Sequence, residues 1–73
     1  MISDAMRLRI REWVGRAPFR TVNVRGDYDS YEASTHYEAD VSTQKENYYA
    51  RSVVSADDAA RKALDRAEKD GHA

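Results

Sequence analysis

The chain contains no cysteine, which excludes disulfides and thiolate metal ligands as braces for the fold. It has one proline and three widely separated glycines, so it has no glycine-rich loop that could hold a phosphate. The segment MISDAMRLRIREW carries charge throughout, and no long apolar run follows it. We therefore expect neither a secretory signal nor a membrane span, and the lack of cysteine fits a cytoplasmic protein.

What is present is enough for one small domain, residues 1–73. A domain of this size buries only about 60% of the surface that its unfolded chain exposes, so its margin of stability is thin. With no covalent brace, association with itself or with a partner remains as a source of extra stability. We expect a monomer or a weak homodimer without a cofactor.

Charge is nearly balanced overall, at −1, but is unevenly distributed along the chain. Residues 1–25 hold six arginines against Asp4 and Glu12, whereas residues 26–50 hold six carboxylates against Lys45. Such polarity steers binding partners and does not select a fold. The basic start and the acidic middle are therefore the two candidate binding regions.

The stretch YEASTHYEADV, residues 31–41, alternates between apolar or aromatic and polar side chains without a break. Successive side chains of a strand point to opposite faces, so this pattern predicts a strand with one dry face and one wet face. The wet face carries Glu32, Glu38 and Asp40 and no lysine or arginine. This stretch defines the centre of the predicted sheet.

The other segments are bounded by capping and turn residues. Ser3 is a typical N-cap for a first helix, and Ser55 with Asp58 forms a capping box for an alanine-rich last helix that Gly71 ends. His72 and Ala73 are expected to be frayed. The first helix is predicted over 4–14. Between the two helices the sequence predicts, in order, a strand over 19–25, a turn over 25–30, the strand over 31–41, a loop over 42–47 and a strand over 48–54.

This order predicts an α+β fold, α-β-β-β-α, in which both helices cover one face of a three-stranded antiparallel meander. Pairing of Val41 with Tyr48 would place Glu38 opposite Arg51 as a cross-strand ion pair. The predicted core contains Met6, Ile10, Trp13, Val22, Val24, Tyr31, Tyr37, Val41, Tyr48, Val54 and Leu64. The predicted open face displays Thr21, Asn23, Glu32, Ser34, His36, Glu38, Asp40, Tyr49, Arg51 and Val53.

Catalysis has little support in the residue types present. His36 could act as a base or bind a metal with Glu38 and Asp40, but residues at i and i+2 of one strand make a poor tetrahedral ligand set. A solvated surface histidine is the commoner state. We therefore expect a protein that is not an enzyme and that holds no metal.

Two further motifs have ordinary explanations beside the functional ones. Residues 25–27 spell the adhesion tripeptide Arg-Gly-Asp on a predicted hairpin tip, but so short a match arises by chance. Arg7, Arg9, Arg11 and Arg16 flank the first helix and could hold phosphates, or their stems could simply cover apolar surface. A small nucleic-acid-binding module using this helix is therefore the alternative interpretation, followed by a small structural or interaction protein.

The acidic middle with its interleaved tyrosines is the preferred binding region. Carboxylates and tyrosines displayed on a rigid sheet can bind a protein surface rich in arginine and lysine, and tyrosine is favoured at interfaces. The ordinary explanation is that the acids only maintain solubility. We predict partner binding through Asp27, Asp29, Glu32, Glu38, Asp40 and Tyr49.

The predicted element order, ending in an alanine-rich helix, resembles that of the double-stranded-RNA-binding domain. That family has a lysine-rich start to its last helix, which would fall on SADDAARK, residues 55–62. Asp57 and Asp58 stand where phosphate-binding lysines would be needed. The resemblance therefore extends to shape only, and no direct nucleic-acid binding is expected from it.

The whole chain also resembles the small phage and prophage proteins that inhibit CRISPR systems, the anti-CRISPRs, and among them inhibitors of type I systems. The shared features are the size, the lack of cysteine, the short α+β meander with an alanine-rich last helix, and the clustered acids. The resemblance implies a non-enzymatic inhibitor that binds a Cas surveillance complex or nuclease in the host bacterial cytoplasm. It would block nucleic-acid engagement at a basic surface.

Overall fold

The structure is a computed structural model that describes residues 2–73. Its elements are α1 (Asp4–Gly15), β1 (Thr21–Asp29), β2 (Ser34–Ser42), β3 (Asn47–Ser52) and α2 (Ala56–Lys69). The strands form one antiparallel sheet in the order β1-β2-β3, and one apolar cluster joins its inner face to both helices. The predicted α+β fold and its element order are confirmed.

Helix α1 begins as the sequence predicts. The Ser3 hydroxyl accepts a hydrogen bond from the Met6 amide at 3.2 Å, so one of the unpaired amides of the first turn is satisfied. Trp13 is fully buried, while Met6, Ile10 and Val14 pack against the core at its margin. Helix α1 therefore depends mainly on one large side chain for its attachment.

Helix α2 supplies most of the core through small side chains. The Ser55 hydroxyl accepts from the Asp58 amide at 3.0 Å, which confirms the N-cap. The face of α2 that meets the sheet is buried and consists of Ala56, Ala59, Ala60, Ala63, Leu64 and Ala67. Because alanines project so little, the helix axis can lie close to strands β2 and β3.

The C-terminal segment is anchored, contrary to the expected fraying. Gly71 adopts a φ of +98°, and the His72 amide donates to the Ala67 carbonyl at 3.0 Å, which together form a Schellman end to α2. The indole Nε1 of Trp13 donates to the His72 carbonyl at 2.6 Å, and Arg20 donates to the Ala73 carbonyl at 3.3 Å. These contacts connect the end of α2 to the end of α1.

The strand register is the predicted one between β2 and β3. Val41 pairs with Tyr48 and Glu38 lies opposite Arg51. The predicted Glu38–Arg51 ion pair is wrong, however, because Glu38 Oε1 accepts from Arg25 Nη2 at 3.0 Å instead. The sequence places Arg25 at the boundary between the first strand and the turn, whereas in the structure it lies within β1 and faces Glu38 of β2.

The first hairpin turn lies further along the chain than predicted. Strand β1 continues through residues 25–29, so the tripeptide at 25–27 lies within a strand and not at a tip. The turn is formed by residues 30–33, because the Asp29 carboxylate accepts from the Tyr31 amide at 2.9 Å and from the Glu32 amide at 3.3 Å. Tyr31 is consequently 99% exposed and not part of the core.

Strand β3 ends earlier than predicted, at Ser52. The Ser52 hydroxyl donates to Asp58 Oδ2 at 2.7 Å and accepts from the Val54 amide at 3.0 Å, which turns the chain towards α2. Val54 is therefore 76% exposed, and its predicted place in the core is wrong. The other predicted core residues lie in the buried cluster or pack against its margin.

Candidate functional site

The β1–β2 hairpin extends past the third strand. Tyr37 pairs with Ser52, the last residue of β3, so residues 27–36 continue as a two-stranded ribbon. We call this segment the acidic ribbon: it carries Asp27, Asp29 and Glu32, and the chain has no lysine or arginine from residue 26 to residue 44. The ribbon contributes to the elongated outline of the molecule, 39 × 25 × 18 Å.

Two tyrosines stand exposed on the acidic ribbon. Tyr28 lies on the inner sheet face, the side of Val22 and Val24, but it is 62% exposed because neither helix covers this end of the hairpin. Tyr31 is at the turn. Tyrosine is enriched at protein interfaces, and the carboxylates beside these two tyrosines can add charge complementarity to a basic partner.

The carboxylates on the open face nearer the centre of the sheet are in a different situation, because Arg25 neutralises two of them. Its guanidinium donates to Asp40 Oδ2 at 2.6 Å and to Glu38 Oε1 at 3.0 Å. The Tyr49 hydroxyl donates to the same Glu38 oxygen at 2.8 Å. Hydrogen bonds from Tyr49 and His36 lower the pKa of Glu38. These two carboxylates are therefore committed to a network within the sheet.

His36 joins this network at the base of the ribbon. Its Nε2 lies 3.0 Å from Glu38 Oε2 and 3.9 Å from Asp27 Oδ2. Asp40, the second ligand considered in the sequence, pairs with Arg25 instead. The Nδ1 atom of His36 is buried without a hydrogen-bond partner within residues 2–73, so it lacks the acceptor that normally orients a metal-bound imidazole.

The six predicted binding residues therefore separate into two groups. Asp27 and Glu32 are exposed on the acidic ribbon, while the Asp29 carboxylate holds the turn. Glu38, Asp40 and Tyr49 belong to the Arg25 network, and the Glu38 side chain is only 15% exposed, against 65% for Asp27. The structure brings the six onto one hairpin and its neighbouring strand, but of the six it leaves only Asp27 and Glu32 available to a partner.

A second polar cluster, not predicted from the sequence, closes the opposite end of the sheet. The Tyr48 hydroxyl lies 2.9 Å from Glu46 Oε2 and 2.5 Å from Asp70 Oδ2, and His72 Nε2 lies 3.3 Å from Glu46 Oε1. Burial raises the pKa of the Tyr48 hydroxyl, and its hydrogen bonds to the two carboxylates act in the same direction. Because the Tyr48 hydroxyl lies between Glu46 of the β2–β3 turn and Asp70 at the end of α2, the cluster connects the turn to the helix.

The arginines of α1 do not form one basic face. Arg9 donates to Asp65 at 2.7 Å and to Glu68 at 2.9 Å, so it connects α1 to α2. Arg7, Arg11 and Arg16 are exposed. The first helix thus offers fewer free cations for phosphate binding than its sequence suggests.

No protein-family model matches this chain, and neither a curated protein nor a solved structure is similar to it at a significant level. Among residues 2–73, neither helix has the length and apolar character needed to cross a membrane. Function must therefore be argued from the site itself.

Proposed function

We propose that this protein is a non-enzymatic inhibitor that acts by binding, with the acidic ribbon as its contact surface. The supporting observation is the ribbon itself: a two-stranded projection without a lysine or arginine that displays Asp27, Glu32 and two exposed tyrosines. A surface of this kind is complementary to a basic protein surface. The partner class that fits is a protein whose basic surface normally binds nucleic acid.

Within that class we propose a Cas surveillance complex or nuclease as the target, which makes the protein an anti-CRISPR-like inhibitor acting in the host bacterial cytoplasm. The resemblance in size, composition and architecture is the reason for this choice. Its acids would occupy the positions of nucleic-acid phosphates on the target. Association should be fast at low salt and slow as salt rises, because exposed charges are screened within about 10 Å at 0.1 M ionic strength.

The structure changes which residues should carry this binding. Reversal of Glu38 or Asp40 would disrupt the Arg25 network and so confuse binding with folding. Asp29 holds the turn and is unsuitable for the same reason. Tyr31 and Glu32 are exposed, adjacent and at the tip, so they offer the cleanest change of the surface.

The test is the double variant Tyr31→Ala/Glu32→Lys in an assay of target-DNA binding by a purified type I surveillance complex. The matched control is Leu8→Ala/Glu12→Lys on α1, which also removes one exposed apolar side chain and reverses one exposed acid. We expect the ribbon variant to lose inhibition by at least about tenfold, a difference of about 1.4 kcal/mol in binding, and the control to keep it.

A folded ribbon variant with wild-type potency would refute the ribbon as the contact surface. If the wild-type protein inhibits no such complex, the anti-CRISPR assignment is wrong, whichever surface binds. A gel-shift assay completes the comparison: tight, salt-sensitive binding of the isolated protein to DNA or RNA would favour the nucleic-acid-binding alternative through α1.

A further inference from the structure

The two edges of the sheet are not equally protected. On β3, the Arg66 guanidinium of α2 donates to the Tyr49 carbonyl, so the outer edge of that strand is partly occupied. Strand β1 is the longer edge, and within residues 2–73 no hydrogen bond is made to the amides or carbonyls of its outward-facing residues. A long uncovered edge strand is a template for pairing with another chain.

The backbone register identifies those outward-facing residues. The Thr43 amide donates to the Glu46 carbonyl at 2.8 Å. Every second residue counted back from Thr43 along β2 therefore directs its backbone amide and carbonyl towards β3, and the residues between them direct theirs towards β1. Asp40 therefore exchanges hydrogen bonds with Asn23. The same alternation leaves four residues of β1 with outward-directed amides and carbonyls: Val22, Val24, Gly26 and Tyr28.

We propose that a second copy of this chain pairs with β1, antiparallel and two-fold symmetric about Gly26, to make a continuous six-stranded sheet. In this register Val24 lies opposite Tyr28 of the second copy. Tyr28 likewise lies opposite Val24 of the second copy, because a two-fold symmetric interface repeats each contact. Both residues belong to the outward-facing set, so the ladder hydrogen bonds of an antiparallel pair can form.

Charge selects this register over its neighbours. Symmetry about Gly26 places Arg25 opposite Asp27 of the second copy, which gives two cross-strand ion pairs on the open face. Moving the two-fold axis by one residue shifts every pair by two and centres the pairing on Arg25 or on Asp27, so that two identical charges lie opposite each other, which is destabilising. The Asp27-centred register would still place Arg25 opposite Asp29, but of these three registers only the Gly26-centred one contains no like-charged pair. The row across the joined sheets then alternates in sign, from Arg51 through Glu38 and Arg25 to Asp27 of the second copy.

The apolar face also gains from this pairing. Tyr28 is exposed because its own helices do not cover the ribbon, whereas Val24 packs against the buried core. Pairing would place the Tyr28 ring beside Val24 of the second copy, at the helix-covered part of that molecule. The second copy would therefore cover a tyrosine that the single chain leaves in water.

The mass of the protein in solution tests the proposal. Sedimentation equilibrium from about 10 μM to about 1 mM, the range of weak specific association, should show a shift towards twice the mass of one chain. Amide hydrogen exchange should slow with concentration at Val24, Gly26 and Tyr28. A single-chain mass throughout, or a dimer in which these amides exchange as they do in dilute protein, would overturn the proposal.

Charge reversal tests the register. Arg25→Asp and Asp27→Arg should each weaken the dimer at least about tenfold, because each places like charges opposite each other, and an equimolar mixture of the two should restore it, because both cross-strand pairs are then attractive. The control is Arg51→Asp, which also lies opposite Glu38 but on the other edge, and it should leave the dimer intact.

Dimers of both reversed variants as stable as the wild type would refute the proposed register, and so would a mixture that stays monomeric. Arg25→Asp could fail to fold because it loses the ion pairs of Arg25 with Glu38 and Asp40. In that case the Asp27→Arg variant and the amide hydrogen exchange of the wild type still decide the outcome. None of these measurements involves a Cas complex, so failure of the dimer and failure of the proposed function can be told apart. The dimer would use Asp27 and Tyr28 of the ribbon but not Tyr31 and Glu32, which lie in the turn outside β1 and are the residues changed in the inhibition test.

Discussion

The two halves of the β1–β2 hairpin have the same alternation of side chains but very different surroundings. In the inner half, Val22 and Val24 pack against the core, and Ala39 and Val41 are fully buried beneath the helices. In the outer half, Tyr28 and Thr35 occupy the same sheet face and are exposed. Alternation therefore specifies which face a side chain takes, and not whether another element covers that face.

Element length explains the difference. A strand of nine residues spans about 30 Å, whereas the fourteen residues of α2 span about 21 Å. Helix α2 packs on β2 and β3, and β3 ends at Ser52. The outer half of the hairpin is thus longer than the layer available to cover it.

The largest effect should come from Trp13, the main side chain through which α1 covers the inner half. Trp13→Ala removes a fully buried indole and its hydrogen bond to the His72 carbonyl. It also removes the cation–π contact with the Arg20 guanidinium, which lies 4.3 Å from the centre of the ring. We expect the free energy of unfolding to fall by about 3–5 kcal/mol, enough to unfold much of so small a domain. Urea titration measures this change.

The comparison for Trp13 is Leu8→Ala on the exposed side of the same helix. Its effect should stay within about 0.5 kcal/mol, since surface substitutions away from special features usually do. A Trp13→Ala protein as stable as the wild type would show that α1 is not held against the sheet as described.

A direct comparison of the halves uses two positions on one face of β2. Ala39 is fully buried beneath the helices, so Ala39→Leu should overfill the core and reduce stability by about 1–3 kcal/mol. Thr35 lies four residues earlier on the same face but is exposed, so Thr35→Leu should change stability by no more than about 0.5 kcal/mol. Thermal unfolding of dilute protein distinguishes them, and equal losses would contradict the difference in cover.

The smallest effect should be a pH dependence located outside the hairpin, where α2 meets the end of β3. Hydrogen bonds from Ser52 and then Arg61 lower the pKa of Asp58 to about 2, from a usual value of 3.8. The unfolded chain therefore takes up this proton at higher pH than the folded one, so the contribution to stability is complete above pH 4 and is lost as pH falls through 2.

Asp58→Asn and Ser52→Ala should each flatten the fall in unfolding free energy as the solution is acidified from pH 4 to pH 2, the first because it removes the carboxyl and the second because it removes its main donor. Chemical denaturation at a series of pH values gives these slopes. Unchanged slopes in both variants would show that acid sensitivity arises from other carboxyls.

Much of the fold could be predicted because its signals are local. The Ser3 and Ser55 caps, the Gly71 end and the alanine face of α2 each depend on neighbouring residues only, and the structure confirms all of them. The turn was misplaced because Tyr31 continues the alternation of β2 in the sequence. The Asp29 side chain, by capturing two amides, breaks the strand at that point.

The candidate site was only partly predictable for a related reason. Its acidity and tyrosine content can be counted in the sequence, and so can the absence of lysine and arginine from residue 26 to residue 44. Which acids stay available depends on Arg25, thirteen residues from Glu38 along the chain but paired with it across the strands. A linear pattern contains no signal for that neutralisation.

The sequence by itself determined the order of the elements, the face that each strand turns to the helices, and the polarity of charge along the chain, because periodicity and caps act over a few residues. Only the tertiary structure decided how far the helices reach over the sheet, which carboxylates are neutralised, and which edge is left open. Those outcomes depend on distances between residues far apart in the chain, which packing sets once the core has formed.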